Sequence, residues 1–234
     1  MITNNVLHRV FQIRVGSWTG TAFTVDVDQR QYWVTAKHLL DGWCSGDVIE
    51  VKRHEEWCPI EMELVGEHPT ADVAVLKTPL YLQAAPVDAN HGGLIHGQDV
   101  FFLGYPHGNG FSVDDAINRG FPVAYVKKAC VSAFATDIGD GRDILILDGY
   151  NNPGFSGGPV VFRWHSDPVN VLRFAGIVSD YRAEDGPVCF RAPDGGEEET
   201  SGFVSINTGL MTCEYIKVAT DLIAANPTGS PIPQ

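Results

Sequence analysis

The chain has 234 residues, 44% of them hydrophobic, with 25 glycines and 14 prolines, a composition of short strands and tight turns that excludes a disordered or fibrous protein. Its formal net charge of −13 excludes the Lys/Arg surface that nucleic-acid phosphates demand and suits a neutral or cationic partner. The opening MITNNVLHRVFQIRV lacks the apolar core of an export signal, no run approaches the roughly 18 residues of a spanning helix, and the five scattered cysteines read as reduced thiols, so a soluble cytoplasmic protein without a membrane partner is expected.

In chain order, apolar residues recur at every second position or in short β-branched runs separated by Gly, Pro, Asn and Asp, which is the pattern of strands. The first six predicted strands are 6–15, 21–27, 31–35, 47–52, 58–65 and 72–77. Residues 78–98 read as a connector, and six further strands follow at 99–104, 122–135, 143–148, 159–164, 171–179 and 202–207. Two sets of six suggest two small closed barrels, because closure removes exposed sheet edges. The predicted division is a first barrel over 1–80, a linker over 81–98, a second barrel over 99–210, a helix over 211–226 and a flexible tail over 227–234. Residues 182–201 (RAEDGPVCFRAPDGGEEETS) are expected to form a long polar loop whose acids either make a solvated face or influence substrate choice.

The segment Asn152-Pro153-Gly154-Phe155-Ser156-Gly157-Gly158-Pro159 places a serine in a glycine-dense turn just before a strand. Glycines allow positive φ and close approach, so the amides of Gly154 and Ser156 are candidates for stabilising an oxyanion; a plain hairpin turn is the alternative. A serine hydroxyl needs a base to act as a nucleophile, and that base needs a carboxylate to orient it. Of eight histidines, His38 stands out because Thr35-Ala36-Lys37-His38 directly follows an apolar strand, where a barrel strand would reach its rim. Asp72 heads the apolar run 72–77, where an acid needs a partner unless it merely caps the turn.

These four segments, GTAFTV with YWVTAKH, ADVAVLK, FFLGYPHG and GFSGGPV, resemble in type and order the trypsin-like serine peptidases, and among them the HtrA-like bacterial branch. The resemblance covers residues 6–224. It implies an all-β fold of two six-stranded antiparallel barrels with a C-terminal helix, and a serine endopeptidase acting on a protein or peptide without a cofactor. His38 would be the general base, Asp72 its orienting group and Ser156 the nucleophile, with Gly154 and Ser156 as oxyanion donors. Phe155 stands where relatives activated by N-terminal cleavage carry an aspartate, Leu39 replaces the cysteine of secreted relatives, and a protein without the peptide-binding regulatory domain of full-length HtrA relatives is expected.

The same resemblance places Tyr150, six residues before the nucleophile, at the floor of a specificity pocket walled by Ser179, Asp180 and Tyr181 and faced by Gly202. Bulky, uncharged tyrosines imply small or medium uncharged residues before the cleaved bond, whereas Asp180 and the acidic loop would favour basic ones. Two other readings differ in class. One is a catalytically inactive barrel used as a protein-binding module; the other is a metal hydrolase using Cys44, His54 and Cys58, or His91, His96 and His107, though neither set has a zinc-like spacing.

Overall fold

A computed structural model describes residues 2–166, 171–191 and 195–233. The first sheet is built from β1 (Val10–Val15), β2 (Trp18–Val27), β3 (Arg30–Thr35), β4 (Val48–Arg53), β5 (Glu56–Glu61), β6 (Glu63–Glu67) and β7 (Ala74–Lys77), in the order β5-β4-β1-β2-β3-β7-β6. Two of its hairpins turn on a pair of residues with positive φ, Asp28-Gln29 and His54-Glu55. Such turns match the right-handed twist of the strands and fix their register.

The second sheet contains β8 (Asp88–Ala89), β9 (Asp99–Gly104), β10 (Tyr125–Thr136), β11 (Asp143–Asp148), β12 (Pro159–Phe162), β13 (Arg173–Arg191) and β14 (Glu197–Tyr215). A β12–β13 ladder closes it into a ring. Helical turns α1 (Asn4–Leu7) and α2 (Asp115–Asn118) are short, α3 (Ile216–Ala225) is the one longer helix among the described residues, and β15 (Ser230–Pro231) ends the chain.

Alternation along the strands divides the core into three parts. Phe11, Ile13, Trp33, Leu39, Ile49 and Leu76 fill the first barrel, while Phe102, Leu145, Leu147, Phe155, Val160 and Met211 fill the second. A third cluster, including Phe23, Leu103, Tyr105, Phe174, Ile177 and Ile223, joins the two. On β2 the neighbours Ala22 and Phe23 point to different clusters, so the strand is buried on both faces. Tyr105 lies across the join, its hydroxyl donating to the carbonyl of Val10 or Pro122 at 2.9 Å. The connector is held to the first barrel by Arg9, which is fully buried and donates to the carbonyls of Ala84 and Ala85 and to Asp26.

The all-β fold of two barrel-like sheets with a C-terminal helix is as expected, but among the described residues each sheet path has seven strands and not six, only the second sheet closes into a ring, and five local expectations also need correction. The expected loop 182–201 is largely strand: residues 182–191 continue β13 and residues 197–201 open β14 as a two-stranded antiparallel arm, with Pro187 opposite Phe203 and Arg191 opposite Glu197, while residues 192–194 lie outside the described residues. The helix begins at Ile216, not 211, because residues 210–214 pair with β11. The predicted strand 58–65 is two strands broken at buried Met62; β5 pairs with β4 and β6 with β7, so the bend carries the chain from one sheet edge to the other without a β5–β6 ladder. Residues 6 and 7 belong to α1 and not to the first strand. The tail is not free, since β15 pairs with β3, Arg30 donates to the Gly229 carbonyl at 2.8 Å and Ser230 is buried.

Candidate active site

Strand β3 is buried along its length and gives way after Thr35 to a single helical turn, Lys37–Leu40, which presents His38 at the barrel rim. Lys37 turns the other way and donates to the carbonyls of His68 at 2.8 Å and Pro69 at 3.2 Å. It thereby ties the His38 turn to the loop leading to Asp72. The Asp72 carboxylate receives three hydrogen bonds: Oδ1 from the His38 amide at 2.8 Å, and Oδ2 from His38 Nδ1 at 2.7 Å and from the Ser179 hydroxyl at 2.8 Å.

These bonds set the electrostatics. The hydrogen bond to Asp72 is the largest influence on His38 and raises its pKa above the usual value against the opposing effect of burial, with the charges of Asp72, Asp180 and Asp41 adding to the rise. Burial is the largest influence on Asp72 and acts upward, but the hydrogen bonds from the His38 ring and amide and the Ser179 hydroxyl, with the His38 charge, leave its pKa below the usual carboxylate value. The pair is therefore built to keep an imidazolium beside an ionised carboxylate.

Ser156 comes from the second barrel. Its turn is pressed against the first: the Ser156 carbonyl accepts from the Thr21 amide at 3.0 Å and the Gly154 carbonyl from the Thr21 hydroxyl at 2.7 Å. Gly154 and Gly157 adopt φ of +101° and +80°, and a Cβ at either position would collide with a main-chain oxygen, that of Tyr105 or Thr21. Only glycine fits both the dihedral and the space. Within the turn the Phe155 amide donates to the Asn152 carbonyl, whereas among the described residues the Gly154 and Ser156 amides donate to no protein acceptor. The Ser156 hydroxyl donates to the Ser179 carbonyl at 3.2 Å and is not hydrogen-bonded to His38.

A carboxylate, an imidazole, a hydroxyl and two free amides are thus gathered where the barrels meet, and residues 20–163, more than half of the chain, match the family described as Trypsin-like peptidase domain. The chain belongs to the trypsin-like peptidases. Solved peptidase structures share the fold. An HtrA-type protease, AlgW with decapeptide, matches with a TM-score of 0.63 at 17% identity over 99% of this chain and 69% of its own. AlgW with tripeptide gives 0.61 at 22% identity over 95% and 62%. The Rv3671c protease from M. tuberculosis, in its active form, gives 0.60 at 20% identity over 97% and 85%. No curated protein matches the sequence.

In this trypsin-like domain two of the expected pocket residues lie elsewhere. Tyr150 is no pocket floor: its ring is 59% exposed and sits beneath Lys127, 5.4 Å from the ammonium, which also binds the Tyr150 carbonyl. Its neighbour Asn151 is the buried one. Gly202 does not face the wall strand either; it lies out on the arm, and the residues opposite Asp180 and Tyr181 are Thr212 and Met211. The polar loop assumed between the two strands is itself paired, which moves the facing segment several residues along the chain.

Sequence reasoning missed the residues that hold Asp72 from behind. Glu214 is fully buried, takes a long hydrogen bond from the Asp72 amide at 3.4 Å and is bound by Arg142 through both its oxygens, at 3.1 and 3.3 Å. Arg142 also pairs with Asp140. A glutamate in the run LMTCEY signals burial only once that run is known to be a strand. Ser179, expected on the pocket wall, also belongs to this support through its bond to Asp72. Among the described residues no group of three His, Cys, Asp or Glu side chains is arranged to hold a metal ion.

Proposed function

We propose that this protein is a serine endopeptidase in which Ser156 attacks the scissile carbonyl, His38 accepts its proton and Asp72 orients and stabilises the imidazolium. The observation that carries this reading is the Asp72 carboxylate, which grips both the ring and the backbone of His38 and also binds Ser179, whose carbonyl holds the Ser156 hydroxyl. A rotation about the Ser156 Cα–Cβ bond releases that hydroxyl toward His38, a shift between unliganded and substrate-bound geometry common at such sites. The Gly154 and Ser156 amides then receive the oxyanion, His38 protonates the leaving amine, and water repeats the sequence on the acyl-enzyme. The substrate is a protein or peptide, a reading supported by the match to the trypsin-like peptidase family.

Covalent labelling of Ser156 by a fluorophosphonate, together with peptide turnover, tests the proposal. Ser156→Ala should abolish labelling and lower turnover by about 10⁴-fold or more while leaving the fold intact. Undiminished turnover in purified Ser156→Ala protein would end it. An inactive binding barrel would leave the wild type unlabelled, but the unpaired amides of Gly154 and Ser156 favour a working oxyanion site over a collapsed one. All five cysteines are free, which supports work in a reducing compartment such as the cytoplasm.

A further inference from the structure

The arm formed by the outer halves of β13 and β14 has no role in the chemistry above. β13 pairs with β12 only through Arg173–Ile177, and β14 pairs with β11 only through Leu210–Glu214. Among the described residues, the β13 edge from Ser179 to Arg191 therefore has no neighbouring strand on its β12 side. The base of this ribbon is tied to residues 149–151 by the Asn207 side chain and the Gly209 carbonyl, but among the described residues no third strand pairs with its outer part, and a two-stranded ribbon alone is marginal in water. This one also exposes apolar side chains: Phe190 is 66%, Phe203 72% and Ile206 51% accessible. An open edge beside exposed apolar groups is a surface suited to receiving another extended chain.

Three observations choose the occupant. The open edge begins at Ser179, which binds both Asp72 and the Ser156 hydroxyl, so a strand added there leads directly into the proposed active site. The sequence from 180 to 207 carries seven Asp and Glu residues against Arg182 and Arg191, so it attracts cationic chains and repels a second copy of itself. β13 runs antiparallel to both β12 and β14. A new strand of the same sense has its C-terminal end at Ser156 and its N-terminal residues along the arm, which spans up to about 40 Å.

We propose that the arm is an exosite for the substrate itself, binding as an added β-strand the residues that lie well before the cleaved bond and selecting those rich in Lys, Arg and apolar side chains. This rests on the peptidase reading of Ser156. The test measures binding to the Ser156→Ala protein, so that it stands apart from catalysis. Fluorescent decapeptides would share the residues flanking the cleavable bond and carry lysines or glutamates at the fifth and seventh positions before it, or lysines only after it. The peptide with upstream lysines should bind about tenfold more tightly than the glutamate peptide, the difference shrinking at high salt. Adding Glu184→Gln and Asp185→Asn should reduce that preference, and Phe203→Asn should weaken both upstream peptides. Equal affinities, a preference that follows lysines placed after the bond, or indifference to all three substitutions would overturn the proposal. Fluorophosphonate labelling of the wild type judges the peptidase reading independently.

Discussion

The Asp72 carboxylate is held by more than His38, since it also accepts from the Ser179 hydroxyl. Because the Asp72 hydrogen bond raises the His38 pKa, activity should climb with pH through a limb lying above histidine's ordinary value of 6.5. In Asp72→Asn that limb should move to lower pH as the plateau falls by about 10⁴-fold, which a pH profile of kcat/KM would show. Stability follows the same linkage. The raised His38 pKa contributes stability below 6.5 that is lost as pH rises through the folded value, so His38→Gln should destabilise more at about pH 5 than at about pH 9 in denaturant titrations. Behind Asp72, the Glu214 carboxylate is fully buried and depends on Arg142. Arg142→Met should therefore cost about 3–5 kcal/mol by leaving that charge unpaired. Adding Glu214→Gln should recover most of the loss while keeping an oxygen for the Asp72 amide, and urea midpoints of the two variants would reveal it.

At the scale of elements, the Ser156 turn is a backbone device. Gly154→Ala places a Cβ against the Tyr105 carbonyl at a φ of +101°, so the turn must move. The strain is of the order of 1–3 kcal/mol, and the displaced amide is one of the two proposed oxyanion donors, so kcat should fall about 10²-fold or more with KM less affected. The wall strand bears on specificity. With Met211 instead of Gly202 opposite Tyr181, two bulky side chains share one face of the ladder. We expect cleavage after small or medium uncharged residues such as Ala, Val or Leu. A library of short peptides, too short to reach the arm, tests this, and cleavage mainly after Arg or Lys would contradict it.

For the whole molecule, the question is what keeps the two barrels in register. Phe155 is fully buried, meets Phe102 edge-on with centroids 5.0 Å apart and lies 5.1 Å from the Lys127 ammonium. The Ser156 turn is thus anchored in the second core by an aromatic ring and not by a charge awaiting a new amino terminus. Near the other end, Val6 is buried in the cluster between the barrels and Ser230 is docked on the first sheet. The protein should be active as translated, and a short tag before Met1 should leave turnover within about twofold, since residues beyond the docked Val6 carry none of the site. Activity that appears only after cleavage to one specific new terminus would refute this.

Much of this protein could be read from residue order alone. Strand alternation exposed the two barrels, and His38, Asp72 and Ser156 stood out as candidates because each sits in a local pattern that the role proposed for it demands: the end of an apolar strand, an acid heading another, a glycine-dense turn. Local patterns carry no information about partners far along the chain. That is why Glu214 and Arg142 behind Asp72, and Met211 in place of Gly202, emerged only from the fold. The arm escaped for a related reason. Alternation marks a strand when one face is buried and the other wet, and residues 182–191 are wet on both, so only the pairing of β13 with β14 shows that this acidic stretch is ordered backbone continuous with the wall of the cleft.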